Sequence, residues 1–537
     1  SENQQDQFLI IPKCCNSIAG STILEKKLTE RNVTTVTLTN RFSTQSSVVH
    51  LSDSLLEHDR TQENINVLRD SAWQNSSELC HPHGDENPPL TVLARPYKGD
   101  DSQLLSVSPL SDIQRKIKEA QQTQKKISLL GSGYSQGGQT TGTDTIQIDM
   151  KTLNRVINID REQQEVTVQA GISWKELQQA LTPHNLSISA MQSYSDFSVG
   201  GSIGVNAHGQ DVIWNPVSSS LLSMRVLLTD GRYLTASRTE NPDLFKALIG
   251  SYGLIGIIIE AKLKVVPNTL LLKKTTLINT RNYLSHFHTI SNKPGFALHS
   301  ARVSINAPVV PFRYSISVNY YDTGVQASAF HESKPPQYTN PKNLNLLKKS
   351  RILRQMRATI EYYFLEKESV MTRNQAMGES VQAIKNNVPN TKDILQEYFI
   401  PPENLMAFMD MLKQWHQNHP DIILLNATIR KVCTDSDSLL PYAPIDCFAV
   451  VLFMNIPDAK NFEPTMEAAT QHLIDSALSQ GGRYYLPYAL YARQDQVFKA
   501  YPEAAKLAEV KDRWDPGHLL DNHFYQKYFP EKSTLQH

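Results

Sequence analysis

The feature that most constrains this chain is a predicted β-strand that runs directly into a glycine-rich loop. Residues 126–130 read Lys-Ile-Ser-Leu-Leu, and residues 131–138 follow with four glycines and two serines. Glycine lacks a Cβ, so such a loop can adopt positive φ and turn its backbone N–H groups towards an anion. No Gly-Lys-Ser/Thr follows, and no helix is predicted next, which argues against a Walker loop and a Rossmann fingerprint. By itself, the loop is either a phosphate-binding site or an ordinary turn.

A second loop of small residues favours the first of these alternatives. Residues 198–209 read Ser-Val-Gly-Gly-Ser-Ile-Gly-Val-Asn-Ala-His-Gly, and Gly-Leu-Ile-Gly at 253–256 leads into an apolar strand. Small residues allow a ligand to lie close to the backbone. Two such loops between short strands therefore suit a dinucleotide whose diphosphate and flat ring pass between two small sheets.

Between residues 89 and 268, predicted strands alternate with short helices. Capping boxes predict helices beginning at Ser111 and Ser173, and Asn241-Pro242 predicts a third. The Asp-Gly at 230–231 predicts a hairpin turn. The block is therefore expected to be α+β. Its apolar alternation predicts strands at 126–130, 145–149, 156–160, 165–169, 224–228 and 255–266.

The rest of the chain divides into three further segments. Residues 1–88 carry no recognisable chemistry and end in a boundary loop at 81–89. Residues 269–475 form a separate layer, and residues 476–537 form a C-terminal tail. The patterns in the layer predict strands at 298–305, 314–320 and 448–456, and helices at 402–417 and 465–478.

Composition excludes several classes of protein. The 537 residues include 53 Lys+Arg and 53 Asp+Glu, so the net charge is zero, which argues against bulk binding of nucleic acid. Five cysteines without a Cys-x-x-Cys pair do not make a disulfide framework. The Cys-His-Pro-His at 80–83 is interpreted as a polar loop and not as a metal site, because no second cluster accompanies it.

The sequence also gives an expectation about location. No apolar run approaches the roughly 18 residues that a membrane span needs. Residues 1–25 carry no basic-then-apolar signal pattern. A cytoplasmic location is therefore expected, with a signal removed before Ser1 left open.

The ordered loops and strands resemble the FAD-binding domain of the vanillyl-alcohol-oxidase and p-cresol-methylhydroxylase (PCMH-type) flavoproteins. Within this superfamily the chain is most similar to decaprenylphosphoryl-ribose oxidase and alditol oxidase, and it is also D-arabinono-lactone-oxidase-like. Fainter similarity returns at 396–401, 482–486 and 515–517. The strongest matches are, in order, 131–135, 148–154, 168–171, 198–201, 207–209, 228–231 and 253–257.

The resemblance implies a fold and a reaction. The fold would be α+β, with a two-lobed FAD-binding domain at 89–268, an antiparallel-sheet cap over the substrate at 269–475, and a tail that returns to the FAD site. The reaction would be oxidation of an alcohol group of a sugar, polyol or sugar-lipid, with hydride transfer to flavin N5. The partner would be a small-molecule substrate.

The resemblance also assigns cofactor contacts. Many relatives carry, in the first loop, a histidine that bonds covalently to the flavin, whereas this chain has Tyr134 there. We therefore expect non-covalent FAD. The residues expected to contact it are Gly131, Ser132, Gly133, Tyr134, Ser135, Gly137, Gly138, Ser193, Ser198, Val199, Gly200, Gly201, Val205, Asn206, His208, Ile257 and Tyr485.

Three residues are expected to be catalytic. By analogy with the family, His208 is the candidate base, or else a histidine hydrogen-bonded beneath the cofactor. Glu397 matches an acidic residue that contacts the polyol in alditol oxidases, or is only a charged residue at a strand end. Tyr488 stands where decaprenylphosphoryl-ribose oxidases have a lysine. His523 and Tyr525 are further candidates for the same pocket.

Two other functions compete with the oxidase. Loss of the family lysine at position 488 is compatible with a protein that binds flavin without turnover. Flavoproteins of related architecture also reduce activated double bonds, so a reductase is the other alternative.

A basic amphipathic segment at 341–360 adds a possible partner. Six Lys and Arg residues occur there without an acidic residue, and apolar residues lie between them. The pattern predicts a helix that either is a solvated cover of the substrate domain or docks to an anionic membrane or a phosphorylated, lipid-linked substrate.

Overall fold

The computed structural model describes residues 7–11, 33–39, 46–50, 90–96, 109–307, 310–328, 341–363, 365, 367–380 and 384–529. The Cys-His-Pro-His cluster and the expected boundary loop at 81–89 lie outside these residues. The chain divides into two compact units, Ser1–Asp112 and Ile113–His537.

The first unit contains a four-stranded antiparallel sheet in the order β1-β4-β2-β3. Because β4 belongs to this sheet, residues 90–96 group with the N-terminal segment and not with the block that the sequence began at residue 89. The strands are β1 (Gln7–Ile11), β2 (Val33–Thr39), β3 (Ser46–His50) and β4 (Leu90–Pro96).

The second unit begins with two small sheets. One is a parallel pair, β5-β6, which carries the first glycine loop between its strands. The other has the order β11-β10-β12-β8-β7, with β9 also paired to β12. The strands are β5 (Lys126–Leu130), β6 (Thr145–Asp149), β7 (Val156–Asp160), β8 (Glu165–Gln169), β9 (Leu186–Ile188), β10 (Leu221–Leu227), β11 (Tyr233–Ser237) and β12 (Ile257–Pro267).

An eight-stranded sheet follows, in the order β16-β13-β15-β14-β18-β19-β17-β20. All its pairings are antiparallel, as expected for the cap, and its last strand, β20, comes from the C-terminal tail. The strands are β13 (Thr269–Asn279), β14 (Phe296–Val303), β15 (Tyr314–Gln326), β16 (Glu368–Thr372), β17 (Thr391–Ile400), β18 (Ile423–Val432), β19 (Cys447–Pro457) and β20 (Arg483–Tyr484).

Helices cover the sheets and connect them. The basic segment forms two helices, α6 and α7, which are separated at Ser350. The α-helices of the described residues are α1 (Pro109–Thr123), α2 (Trp174–Leu181), α3 (Val199–Gly204), α4 (Pro242–Leu248), α5 (Tyr283–Ser291), α6 (Pro341–Lys349), α7 (Arg351–Tyr363), α8 (Arg373–Ala376), α9 (Leu405–Asn418), α10 (Glu463–Ser479), α11 (Gln494–Ala500), α12 (Leu507–Trp514) and α13 (His523–Tyr528).

The α+β architecture predicted from the sequence is confirmed. β5 to β8 and α2 have the predicted bounds, and α2 begins with the expected capping box, in which the Ser173 and Glu176 side chains each bond the other residue's backbone. One strand begins later than predicted, because Gly253 has φ +73° and residues 253–256 are a loop before β12.

The C-terminal tail is anchored to the segment that leads into β12 by a buried cation. The Lys511 ammonium donates to the Asp515 carboxylate at 2.6 Å and to the carbonyls of Leu254 and Leu520 at 2.8 and 2.7 Å. Burial lowers the pKa of Lys511, and Asp515 acts in the opposite direction. Breaking such a pair would cost about 3–5 kcal/mol, so the tail is a structural part of this unit.

The cap contains a buried histidine that stays neutral. His299 lies between the Tyr283 hydroxyl, 2.8 Å from Nε2, and the Asn319 side-chain oxygen, 2.6 Å from Nδ1. Burial lowers the pKa of His299 to about 4. The unfolded chain therefore takes up a proton near pH 6.5 that the folded chain does not take up until about pH 4.

We predict that this histidine makes the cap less stable in mild acid. The stability that it contributes is present above pH 6.5 and is lost as the pH falls towards 4, by about 3 kcal/mol at about 1.36 kcal/mol per pKa unit. Urea unfolding between pH 7 and 4.5 measures the loss. His299→Gln should flatten this part of the dependence, and His472→Gln, at an exposed position, should not. An unchanged pH profile in His299→Gln would contradict the assignment.

Candidate active site

A cavity of about 440 Å³ lies where three parts of the second unit meet. These parts are the β5-β6 sheet, here called the first lobe, the sheet of β7 to β12, here called the second lobe, and the eight-stranded cap sheet. The cavity wall combines three groups of residues. The first loop contributes Gly131 to Ser135, and the second loop contributes several of the residues between Ser198 and His208. The cap contributes Glu397, among others, and the tail contributes Tyr488. A site that needs all three groups can form only in the folded second unit.

A smaller cavity of about 100 Å³ adjoins it between the two lobes. Its wall includes Tyr252, Gly253 and Ile258 from the segment that leads into β12. Because the two cavities share wall residues, they form one elongated site, as a dinucleotide requires. The shared residues are Gly131, Ser135, Thr140, Ser198, Gly201 and Val205.

The first loop presents unused backbone donors to this site. Within the described part of the chain, the N–H groups of Ser132, Gly133, Tyr134 and Ser135 donate to no acceptor. Gly133 has φ +77°, which favours glycine. Four unpaired N–H groups in the wall of a cavity fit an anionic ligand such as a diphosphate.

The second loop is held rigidly by its own hydrogen bonds. The Ser198 hydroxyl caps α3 by accepting from the Gly201 N–H at 3.3 Å. The N–H groups of Val199 and Gly200 donate to the carbonyls of Ile172 and Ala170 at 2.9 and 2.7 Å. This loop therefore contributes small side chains and close backbone approach to the site, whereas the free donors come from the first loop.

The three expected catalytic residues meet in the larger cavity. Nε2 of His208 bonds one carboxylate oxygen of Glu397, and the Tyr488 hydroxyl donates to the other oxygen at 3.2 Å. Both His208 and Glu397 are buried. Nδ1 of His208 is buried without a hydrogen-bond partner among the described residues. The carboxylate thus fixes an imidazole on one side and a phenol on the other.

Burial and the neighbouring Glu397 carboxylate raise the pKa of Tyr488 well above its ordinary value. The phenol is therefore neutral at physiological pH and acts as a hydrogen-bond donor. The pKa of Tyr485 is also raised well above its ordinary value, first by burial. The Tyr485 hydroxyl donates to the Val205 carbonyl at 2.8 Å, which ties the tail to the second loop.

Backbone pairing explains why the tail reaches Glu397. β20 pairs with β17, and the Tyr485 N–H donates to the Glu397 carbonyl at 2.9 Å. Further along, the Gln136 N–H donates to the Pro487 carbonyl at 2.9 Å, next to the first loop. The tail therefore runs between the cap and the first loop and places Tyr488 at their junction.

The His208 loop is fixed to the cap from its other side. The Asp211 carboxylate accepts the Ile213 N–H at 2.7 Å and pairs with the Arg373 guanidinium at 2.5 Å. The neighbouring Gln210 carbonyl accepts the His299 N–H of β14 at 2.8 Å. The position of His208 is thus set by bonds to α8 and to the cap sheet.

Sequence reasoning missed an arginine in the same wall. Arg430, on β18, lines the larger cavity, forms no ion pair with a described residue, and its Nε lacks a hydrogen-bond acceptor among them. Its charge acts to lower the pKa values of Tyr488 and of Glu379, another wall residue. Strand alternation could have shown it, because Asn426, Thr428 and Arg430 share one face of β18 and all three line the cavity.

Most of the residues expected to contact the cofactor line one or both cavities. Tyr134 does so and also packs against the Phe197 ring at 4.7 Å between ring centroids. The expected residues found in the cavity walls are Gly131, Ser132, Gly133, Tyr134, Ser135, Ser193, Ser198, Gly200, Gly201, Val205, His208 and Tyr485.

Five expected contacts lie elsewhere. Val199 is buried in the core, and Ile257 is buried while its neighbour Ile258 takes the cavity position, as strand alternation requires. The Asn206 carbonyl accepts the Tyr442 hydroxyl at 2.6 Å. Gly137 and Gly138 allow the tail to approach, because a Cβ would lie 2.3 Å from the Tyr488 carbonyl and 2.9 Å from the His523 Cβ, respectively.

The two further candidates in the tail do not line either cavity. The His523 N–H donates to the Gly138 carbonyl at 3.1 Å. The Tyr525 ring stacks on Phe529 at 5.4 Å between centroids. Both residues support the packing of the tail. No group of His, Cys, Asp and Glu residues suited to a metal ion occurs in the part of the chain that was described.

Comparison with known proteins identifies the lobes. Residues 103–237 match the family described as "FAD binding domain". The chain is 22% identical to mouse L-gulonolactone oxidase, over 83% of this chain and 99% of that enzyme. It is 30% identical to a putative D-arabinono-1,4-lactone oxidase of Neurospora crassa, over 37% of this chain and 34% of that protein. It is also 28% identical to the mitochondrial L-galactono-1,4-lactone dehydrogenase of Arabidopsis thaliana, over 32% of this chain and 28% of that protein.

These relatives refine the expected subgroup. Their names are those of lactone oxidases and dehydrogenases, as the D-arabinono-lactone-oxidase-like expectation anticipated. The expectation of greatest similarity to decaprenylphosphoryl-ribose oxidase and alditol oxidase is corrected accordingly. The local glycine motifs are shared across the superfamily, so they do not distinguish its subgroups.

We predict that a methyl group at Gly131 will weaken FAD binding by at least about ten-fold, or about 1.4 kcal/mol. A Cβ there would lie 2.4 Å from the Ser198 hydroxyl and force the two loops apart. FAD titration of the apoprotein of Gly131→Ala measures the effect. Adding Ser198→Ala should recover part of the affinity, and Gly517→Ala, where a Cβ meets nothing within 4 Å, is the control. Wild-type affinity in Gly131→Ala would contradict this arrangement.

Features of the chain itself therefore show that the cofactor fits the site. The unpaired N–H groups of 132–135 suit the diphosphate, and the elongated cavity between the lobes reaches the polar wall at Glu397. The expected cofactor, FAD, and the PCMH-type fold are confirmed by the family match and the relatives. The chain is an FAD-linked oxidoreductase of the vanillyl-alcohol-oxidase and p-cresol-methylhydroxylase superfamily.

Proposed function

We propose that this enzyme oxidises a hydroxyl group of a sugar-acid lactone to a carbonyl. The observation that carries the proposal is the hydrogen-bonded set His208, Glu397 and Tyr488 in the wall where both FAD-binding lobes meet the cap. The names of the relatives supply the substrate class. The lactone replaces the broader sugar, polyol or sugar-lipid alcohol expected from the sequence.

The cofactor would be held mainly by backbone. The N–H groups of Ser132 to Ser135 would bind the diphosphate, and Gly200 and Gly201 would allow close approach in the second loop. When bound, FAD supplies the hydride acceptor. The remaining chemistry belongs to the chain, which must place the substrate carbon, take up the hydroxyl proton and stabilise charge on the oxygen.

Tyr488 and Glu397 would carry the proton. The Tyr488 hydroxyl is neutral and already donates to Glu397 at 3.2 Å. A substrate hydroxyl that donates to the Tyr488 oxygen can pass its proton along this bond to the carboxylate. The proton thus moves in two short steps, first to Tyr488 and then to Glu397. No buried phenolate has to form, which the raised pKa of Tyr488 would disfavour.

His208 would be a positioning residue for the carboxylate. Its Nε2 bonds Glu397, and its ring packs among Phe399, Tyr442 and Tyr485 at 5.5–6.1 Å between centroids. Because Nδ1 is buried, the substrate cannot reach it directly. In place of the expected role as the base that contacts the hydroxyl, we propose that His208 acts through Glu397.

Arg430 would supply the positive charge that the family lysine supplies elsewhere. The residue at the lysine position is Tyr488, which is uncharged, whereas Arg430 brings a guanidinium without an ion-pair partner among the described residues into the same cavity. A donor of this kind stabilises negative charge on a substrate oxygen as the proton leaves.

We predict that Glu397→Gln will slow anaerobic flavin reduction by an aldonolactone about 10²- to 10⁴-fold, the usual range for loss of a proton acceptor. Tyr488→Phe should cause a smaller loss. Stopped-flow measurement of the FAD-loaded variants separates this step from reoxidation. The matched controls are Glu463→Gln and Tyr491→Phe, a Tyr–Glu pair with a 2.7 Å bond outside the cavity, which should reduce at the wild-type rate.

If Glu397→Gln were reduced as fast as wild type, the proposed proton path would be wrong. If both Glu463→Gln and Glu397→Gln slowed reduction equally, the effect would be a general loss of stability and not a property of the cavity.

We further propose that the FAD is bound without a covalent link. Tyr134 occupies the first-loop position at which many relatives carry the linking histidine, and it lines the larger cavity. Acid precipitation of the purified enzyme should release all flavin into the supernatant, because no bond retains it once the fold is lost. Flavin absorbance that stays with the pellet after washing would contradict this prediction.

A further inference from the structure

The two helices of the basic segment present several large apolar residues to solvent. Ile352, Met356 and Ile360 are 68%, 52% and 54% exposed, and Tyr363 is 72% exposed. At spacings of four, four and three residues they form one stripe along α7. Leu346 of α6 and Leu353 are exposed as well. A surface helix of a water-soluble fold normally turns such a stripe towards the core.

The opposite face of α7 is charged and faces the cap. The Arg357 guanidinium pairs with Glu361 at 2.8 Å, and Glu361 pairs with Arg302 of β14 at 3.0 Å. Arg354 donates to the Leu347 carbonyl at 2.7 Å. No described side chain of α7 is buried. The polarity of this helix is therefore reversed, with ion pairs on the face towards the cap and aliphatic side chains on the outer face.

The cations nearest the stripe have no carboxylate partner among the described residues. Lys349 and Arg351, at the junction of α6 and α7, are exposed and form no ion pair with any residue that the structure describes. The sequence from 341 to 360 contains no acidic residue, and Glu361 is neutralised by two arginines. The exposed surface formed by Leu346, Lys349, Arg351, Ile352, Leu353, Met356, Ile360 and Tyr363, here called the outer stripe, is apolar and positively charged.

We propose that the outer stripe docks the enzyme on an anionic lipid bilayer. Aliphatic and aromatic side chains on one face of a helix insert into the boundary between headgroups and acyl chains, while adjacent cations bind anionic headgroups. A second copy of the chain is a poorer occupant, because two outer stripes would bring like charges together.

The docking surface lies next to the catalytic cavity. Leu344 of α6 and Arg357 of α7, which do not belong to the outer stripe, line the larger cavity. No helix of the described residues is long and apolar enough to cross a membrane. The proposed binding is peripheral, with the helix pair lying in the plane of the headgroups. This inference is independent of the identity of the substrate.

Vesicle flotation of the full-length, FAD-loaded enzyme tests the proposal. We expect flotation with vesicles of phosphatidylcholine and phosphatidylglycerol and little with phosphatidylcholine alone. The triple variant Ile352→Ser/Met356→Ser/Ile360→Ser should lose at least about ten-fold in the bound fraction, because three apolar insertions are removed. Lys349→Gln/Arg351→Gln should reduce binding to the anionic vesicles selectively.

Matched variants control for apolar and charged surface in general. Ile157→Ser/Val325→Ser/Ile445→Ser removes three residues that are 43%, 56% and 50% exposed elsewhere. Lys118→Gln/Lys246→Gln removes two exposed cations from α1 and α4. Both should float as wild type does. Bound flavin absorbance and circular dichroism verify that each variant is folded.

Three results would overturn the proposal. These are no flotation with anionic vesicles, equal flotation with both lipid compositions, and flotation that the two outer-stripe variants leave unchanged. Sedimentation velocity, which measures the oligomeric state, tests whether a second copy of the chain occupies the outer stripe. A wild-type dimer that the triple serine variant converts to monomer, without lipid binding by either protein, would assign the outer stripe to a second copy.

Discussion

The active site depends on one antiparallel backbone pairing, that of the tail strand β20 with the cap strand β17. This pairing carries Tyr485 and Tyr488 from a distant part of the chain to Glu397. The buried Lys511–Asp515 pair anchors the same tail to the FAD-binding lobes. The cap, the lobes and the proposed catalytic groups are thus joined through the tail, so loss of the pairing would separate the phenol of Tyr488 from the carboxylate of Glu397.

Local structure in the lobes was predictable because local sequence determines it. The strands at 126–130, 145–149, 156–160 and 165–169 and the capping box at Ser173 have the predicted bounds. Non-local features were not predictable in this way. The grouping of β4 with the N-terminal sheet and the pairing of a two-residue strand such as β20 depend on partners far away in the sequence.

In the candidate site, too, only some of the features were predictable from the sequence. Resemblance to the superfamily brought together His208, Glu397 and Tyr488, which do meet, and named the first loop, in which the N–H groups of residues 132–135 donate to no described acceptor. It placed Gly137 and Gly138 at the cofactor, although they make room for the tail. Arg430 was not predicted as a site residue, because a single arginine in a strand predicts no function until the sheet shows which face of the strand borders the cavity. Likewise, the pattern of α7 shows an amphipathic helix but not which face turns outward.

We propose that this cavity holds FAD and that the enzyme oxidises a sugar-acid lactone there. The most direct measurement is anaerobic addition of L-gulono-, D-arabinono- or L-galactono-1,4-lactone to the FAD-loaded enzyme, with the visible absorbance of oxidised flavin as readout. We predict that at least one lactone bleaches the flavin and that NADH and NADPH do not. Bleaching by NADH or NADPH alone would indicate a reductase, and a flavin that no compound reduces would indicate binding without turnover. Either result would contradict lactone oxidation by this enzyme.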